Sequence, residues 1–217
     1  MSMRMHVGGV HGLLDGYKRF HEKHFEQDTK LFRELSTKGQ SPRVMMIACS
    51  DSRVDPSILF DASAGEMFVV RNVANLVPPY QDDDDGYHGT SAALEFAVRH
   101  LGVEHVVVLG HSACGGIRRL MDKAHDEKND EFSFIDPWIK IAEDARPRLP
   151  KDAKATKEHC TDCERSAITV SLKNLETFPW IKSRMEKGEL TAHGWYFSID
   201  SGTLEVWDET KNRFVAS

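Results

Sequence analysis

The apolar positions change period several times along the chain. From position 10, Val10, Leu13, Leu14, Tyr17 and Phe20 recur at helical spacing. Phe32 and Leu35 resume that face before Gly39 and Pro42 stop it. This predicts one long, charged amphipathic helix or two in succession. "RVMMIA" (43–48) follows, a short unbroken apolar run bounded by turn chemistry, which predicts a strand buried on both faces. "MFVVRN" (67–72) and "HVVVLG" (105–110) read the same way. "VPPYQDDDDGYHG" (77–89) is a loop by its Pro, Gly and Asp content. Thr90 or Ser91 is the expected cap of the next helix, whose face is Leu94, Ala97, Val98 and Leu101 and whose end is Gly102. A further helix is expected over "GIRRLMDKA" (116–124), then a polar loop to position 133. Helical pattern returns at 138–145, breaks at Pro147 and Pro150, and returns over "SAITVSLKNLETF" (166–178). "GWYFSI" and "TLEVW" flank "DSG" near the end, a hairpin signal.

Apolar strands alternating with helices predict an α/β fold with a mainly parallel central sheet flanked by helices. To this are added a long N-terminal helical segment and a C-terminal antiparallel edge hairpin. The expected organisation is a single domain over 1–217, with a helical arm at 1–38 and an α/β core at 40–210.

Composition narrows the function classes. The 217 residues are enough to bury a sizeable core, and 29% charged with 40% hydrophobic residues is ordinary for a globular chain. The net charge of −6, without a basic block, argues against nucleic acid as a partner. No apolar stretch approaches the roughly 18–20 residues of a membrane span. The aspartates at 82–85 repel one another and read as a solvated loop. The first residues do not resemble a secretory leader, so the expected location is cytoplasmic, with an organelle reached by a removed targeting peptide as the alternative. Four cysteines are too few for a disulfide scaffold, so reduced thiols are expected, free to bind metal or to react.

Both of the clearest strands run into metal-ligand residues. The first ends at Cys49-Ser50-Asp51, the second at His111 with Cys114 three residues on. In open α/β sheets functional groups collect at the carboxyl ends of strands. If these two strands are neighbours, Cys49, His111 and Cys114 meet. Two thiolates and an imidazole select Zn²⁺ over Mg²⁺ or Ca²⁺, and three protein ligands leave a fourth position open. Asp51 is placed to close that position. A bidentate pair with Arg53 would hold it away and keep its oxygens as acceptors for a bound water, whose proton Asp51 orients. The glycines of "ACGG" (113–116) open a helix, and Gly115 offers backbone N–H groups to an anion or stands in a simple tight turn. Cys160-x-x-Cys163, with His159 beside it, is a redox pair, a second metal site or neither.

"CSDSRV", "FVVRNVANLVPP" and "GHSACGGI", in that order, resemble the β-class carbonic anhydrases, the plant-like subgroup most of all. The resemblance runs from about position 40 to 117. It continues more weakly through "CERSAITVSLKNLETFPWI" and the final hairpin. It implies zinc-dependent, reversible hydration of CO₂ to bicarbonate and a proton, with one Zn²⁺ per chain on Cys49, His111 and Cys114 and an Asp51–Arg53 dyad. By the same resemblance Gln40 and Phe68 contact substrate, and Phe96 stands where the subgroup carries a tyrosine. His100 is the candidate proton shuttle, and a homodimer or larger homo-oligomer is expected. A bicarbonate-regulated subgroup uses a Trp, an Arg and a Tyr. Only Arg71 of that trio is present here, with Met46 and Phe197 in the other places, which puts such regulation in doubt. The alternatives are CS₂ or COS hydrolysis on the same fold, or a non-catalytic interaction protein with a structural zinc.

Overall fold

The computed structural model describes residues 9–82, 86–122, 134–150 and 153–217. Asp83, Asp84 and Asp85 of the acidic run and nearly all of the expected polar loop before position 134 lie outside the described residues. The chain divides into two compact units, Met1–Gln40 and Ser41–Ser217.

The N-terminal unit resolves the choice left by its periodicity: it is two helices, not one. Helix α1 (Gly9–His21) continues through a wider turn (Glu22–Gln27), and the chain then breaks before α2 (Lys30–Lys38). The break falls at Asp28, whose backbone is extended (φ −123°, ψ 89°). Phe20, Phe25 and Phe32 close the corner, with ring centroids 5.2–6.0 Å apart. Gly39, at φ +76°, ends α2, as expected of a residue free to leave the right-handed region.

Among its described residues the second unit is built on six strands: β1 (Val44–Cys49), β2 (Met67–Asn72), β3 (His105–His111), β4 (Thr191–Phe197), β5 (Leu204–Asp208) and β6 (Arg213–Ala216), in the order β2-β1-β3-β4-β5-β6. The first four are parallel, while β5 and β6 return antiparallel at the edge. The helices are α3 (Pro56–Leu59), α4 (Gly89–Glu95, prolonged to Leu101), α5 (Gly115–Asp122), α6 (Ile135–Ile139, prolonged to Ala145), α7 (Lys157–Leu175) and α8 (Pro179–Glu186).

The continuous apolar runs of β1 and β3 follow from burial on both faces. Met45, Ile47, Val106 and Val108 pack with Leu94, Val98, Ile168 and Ile181 from the helices. The alternate residues Met46, Ala48, Val107 and Leu109 form a smaller cluster on the other face, joined by Phe60 and Trp195. Helix α7 lies close against β3: a Cβ on Gly110 would sit 2.7 Å from Ile168 Cδ1.

Two boundaries differ from the sequence pattern. Helix α4 starts at Gly89 without a side-chain cap, and neither Thr90 nor Ser91 caps it. Thr90 is instead buried, where its hydroxyl accepts from Asn72 Nδ2 at 3.2 Å. Helix α7 begins nine residues before the apolar repeat, because Thr156 and His159 form a reciprocal cap there. Cys160 and Cys163 therefore belong to its first turns.

Candidate metal centre

Parallel pairing of β1 with β3 sets Ala48 opposite Leu109, so both strands release their ends at one edge. There Cys49, His111 and Cys114 meet, their ligand atoms all within 4.8 Å of one another and all three residues buried. Cys114 reaches the group through a sharp reversal: Ala113 takes the left-handed conformation (φ +57°), and α5 starts directly afterwards. The turn can sit this deep because of the second glycine, not the first. A Cβ on Gly116 would meet Val73 Cγ1 at 2.8 Å and Ala74 Cβ at 3.0 Å, whereas Gly115 faces open space.

The imidazole is oriented for an ion. His111 Nδ1 donates to the Ser112 carbonyl at 2.9 Å, since a carbonyl can only accept. This leaves a lone pair on Nε2, which is buried and, among the described residues, has no partner at hydrogen-bond geometry. An orphaned buried nitrogen costs free energy unless something fills its position. The hydrogen bond between the thiols holds Cys49 down to about 4 and pushes Cys114 up. Soft sulfurs, an aimed imidazole nitrogen and an already favoured thiolate fit a zinc-type ion.

Beside this group, Asp51 and Arg53 pair in two parallel bonds, Nε to Oδ1 at 2.9 Å and Nη2 to Oδ2 at 2.6 Å. The Arg53 N–H also donates to Asp51 Oδ1, and Nη2 donates to the Ala113 carbonyl. The guanidinium bond holds the Asp51 carboxyl well below the usual carboxylate range. Oδ1 is thus doubly occupied, while Oδ2 takes a single bond.

Two further residues fix the backbone of the site. Arg71 donates from Nε to the Cys49 carbonyl (2.9 Å), from Nη2 to the Asp51 carbonyl (2.7 Å) and from Nη1 to the Asp55 carboxylate (2.9 Å). Asp55 meanwhile caps α3. Glu164, buried on α7, accepts from the Cys114 N–H and from the Tyr196 hydroxyl, both at 2.9 Å. Sequence reasoning had no role for Glu164 and named Arg71 only as a remnant of a regulatory trio. Their partners are mainly backbone groups, which leave no mark in a sequence. For Arg71 the available signal was a charge at the end of an otherwise apolar run; Glu164, among other charges, offered none.

The other expected site residues lie elsewhere. Phe68 pairs in register with Met45, four residues before the Cys49–Asn72 level, about 13 Å along the strand. Phe68, Phe96 and His100 form a separate ring group, with centroids 5.8 and 5.5 Å apart in sequence. Gly115 adjoins Cys114 at the start of α5. Gln40 is exposed and ends the N-terminal unit.

The carbonic anhydrase family model matches residues 44–204, which span the candidate metal group and strands β1 to β4, ending at the first residue of β5. The chain belongs to the carbonic anhydrase family. β Carbonic anhydrase 3 of Arabidopsis thaliana is 37% identical over 204 residues, covering 93% of this chain and 78% of that protein. Among solved structures, the β-carbonic anhydrase CcaA superposes with a TM-score of 0.83 at 32% identity, covering 96% of this chain and 92% of the other. A tetrameric β-carbonic anhydrase of the ascomycete Sordaria macrospora gives 0.76 at 28% identity, covering 90% and 95%. These relatives place the protein in the β class, and it is an enzyme of the carbonate dehydratase type. Among the described residues, no helix of this carbonic anhydrase is long and apolar enough to cross a membrane.

Proposed function

We propose that this chain catalyses the reversible hydration of CO₂ to bicarbonate and a proton, with one Zn²⁺ per chain held by Cys49, His111 and Cys114. The observation that carries this reading is the convergence of those ligand atoms around a buried, unpartnered His111 Nε2. Zinc held there would supply Lewis acidity toward a water molecule.

The rest is the work of the chain's own groups. Arg53 keeps Asp51 turned away from the ligand set, so the carboxylate does not take the remaining coordination position. Asp51 Oδ2 has a lone pair to spare and accepts a hydrogen bond from the reacting water, which orients it. Arg71 and Glu164 hold the Cys49 and Cys114 backbones, so the ligands are set before any ion arrives. The N–H groups at the start of α5, beginning at Gly115, face the product's negative charge.

Tetrameric relatives support a homo-oligomer. Phe68, Phe96 and His100 lie too far along the sheet to line this chain's own metal group. As substrate-pocket residues and proton shuttle they serve a neighbouring copy, with Gln40 as the hydrogen-bond donor to substrate. Family membership favours CO₂ over CS₂ or COS and over a purely structural zinc.

Zinc analysis paired with stopped-flow CO₂ hydration tests the reading. The expected result is one zinc per chain and an activity that disappears on chelation and returns with added zinc. Stoichiometric zinc with no hydration activity at any pH would overturn it.

A further inference from the structure

At the opposite end of the sheet from the metal group, β3 and β4 begin side by side, with His105 in register with Thr191 and Val107 with His193. Strand alternation puts His105 and His193 on one face. Three donor atoms converge there. Thr191 Oγ1 lies 2.6 Å from His105 Nδ1 and 2.8 Å from His193 Nε2, and the two nitrogens are 3.4 Å apart. The rings stand 5.5 Å apart at 55°, so each nitrogen points across the gap toward the other. Both imidazoles are half-buried and Thr191 is exposed, so solvent reaches the cluster.

The Thr191 hydroxyl is hydrogen-bonded to both imidazoles, and the spacing it sets between the two nitrogens also suits adjacent ligands of one ion. With metal–nitrogen bonds of about 2.0–2.1 Å, a separation of 3.4 Å subtends roughly 110° at the metal, the tetrahedral value. The triangle of edges 2.6, 2.8 and 3.4 Å also admits a point about 2.0 Å from all three corners, so the threonine oxygen can join as a third ligand. Burial and the neighbouring His105 hold the His193 imidazole below its ordinary value, which favours the neutral ring with a lone pair. The nearest carboxylate, Glu104, is occupied by Arg43.

We propose that His105, His193 and Thr191 form a second binding site, separate from the catalytic group, for a divalent transition ion of the zinc type. An ion there joins the starts of β3 and β4 and leaves its remaining coordination positions to solvent. The reading stands on these three side chains and does not depend on the catalytic assignment.

The test uses the full-length, zinc-loaded enzyme after removal of loosely held metal. Calorimetric titration with Zn²⁺ is run on the wild type and on His105→Asn and His193→Asn, with the unfolding temperature recorded with and without excess Zn²⁺. The wild type is expected to take up one further equivalent and to unfold at a higher temperature when it does. Each variant should lose at least about tenfold in affinity for that equivalent and most of the temperature rise, while CO₂ hydration stays unchanged. No further equivalent in the wild type overturns the proposal. Uptake that survives either substitution also overturns it, since exposed histidines elsewhere would then be responsible.

Discussion

The chain carries two cysteine pairs, each with a histidine and an arginine nearby, and only one of them makes a group that could hold a metal. Cys160, Cys163 and His159 sit within five positions of sequence, which looks the more promising of the two. The fold spends that histidine on capping α7: His159 Nδ1 accepts the Thr156 N–H, and the His159 N–H returns to the threonine hydroxyl. Burial pushes both thiols up, Cys163 to about 12. Arg118 meets Cys160 only at 3.9 Å. Cys49, by contrast, lies more than sixty positions from its partners, yet parallel pairing delivers all three ligands to one edge and the local hydrogen bonds favour a thiolate. Closeness in sequence made a helix turn, and convergence of strand ends made a site.

The largest effect expected from this contrast is on metal retention. Cys49→Ser should lose zinc and fall to the uncatalysed rate, while Cys163→Ser should keep one zinc per chain and hydrate CO₂ normally. Elemental analysis alongside stopped-flow rates checks both at once. Loss of zinc from Cys163→Ser would erase the distinction between the pairs. Within the working pair, Asp51→Asn should keep its zinc and lose roughly 10²-fold in kcat, the usual worth of a positioned proton acceptor. Arg53→Ala should lose as much by freeing the carboxylate. Zinc retained with an unchanged rate would remove Asp51 and Arg53 from the chemistry.

The same contrast explains what the sequence could and could not disclose. Strands β1 and β3 were legible because burial on both faces leaves unbroken apolar runs, and Cys49 and His111 stood out as candidate ligands because each lies where such a run ends. The edge hairpin announced itself by its turn residues. The order of the strands was not legible: β4 joins the sheet parallel to β3 through the long crossover, and local pattern carries no neighbour information. Helix α3, a single turn, escaped periodicity, although Asp55-Pro56 is a cap followed by a first-turn proline. Phe68, Phe96 and His100 were named from motif resemblance alone, and their distance from Cys49 emerges only in register. Glu164 was invisible because it serves an N–H.

Glu164 also offers the next smaller effect, because it ties the working pair to the helix that holds the idle one. Glu164→Ala leaves the Cys114 N–H and the Tyr196 hydroxyl without their acceptor in a buried place, which should cost about 2 kcal/mol or more. Glu164→Gln keeps an oxygen for the Cys114 N–H and turns an amide toward the rotatable Tyr196 hydroxyl, so most of that stability should return. Chemical denaturation of the two variants measures the difference. Equal losses in both would mean that the carboxylate's charge matters and its hydrogen-bond geometry does not.

The smallest effect belongs to the idle pair and appears only in alkali. Burial raises the Cys163 thiol from its ordinary 9.0 to about 12, so between those values the unfolded chain has lost a proton that the folded chain still holds. Protons bound in excess by the native state make stability fall as pH rises. The contribution is complete below about pH 9 and drains away toward pH 12, at up to about 1.4 kcal/mol per pH unit. Other groups titrate in that range, so the informative quantity is the difference between wild type and Cys163→Ala. The variant should be less stable by about 1 kcal/mol at pH 8, the ordinary cost of trimming a packed side chain. That gap should narrow and then reverse as pH climbs. A gap that stays constant from pH 8 to 11 would mean that Cys163 ionises as freely in the folded protein as in the unfolded chain, and the difference between the two pairs would then rest on the histidine alone.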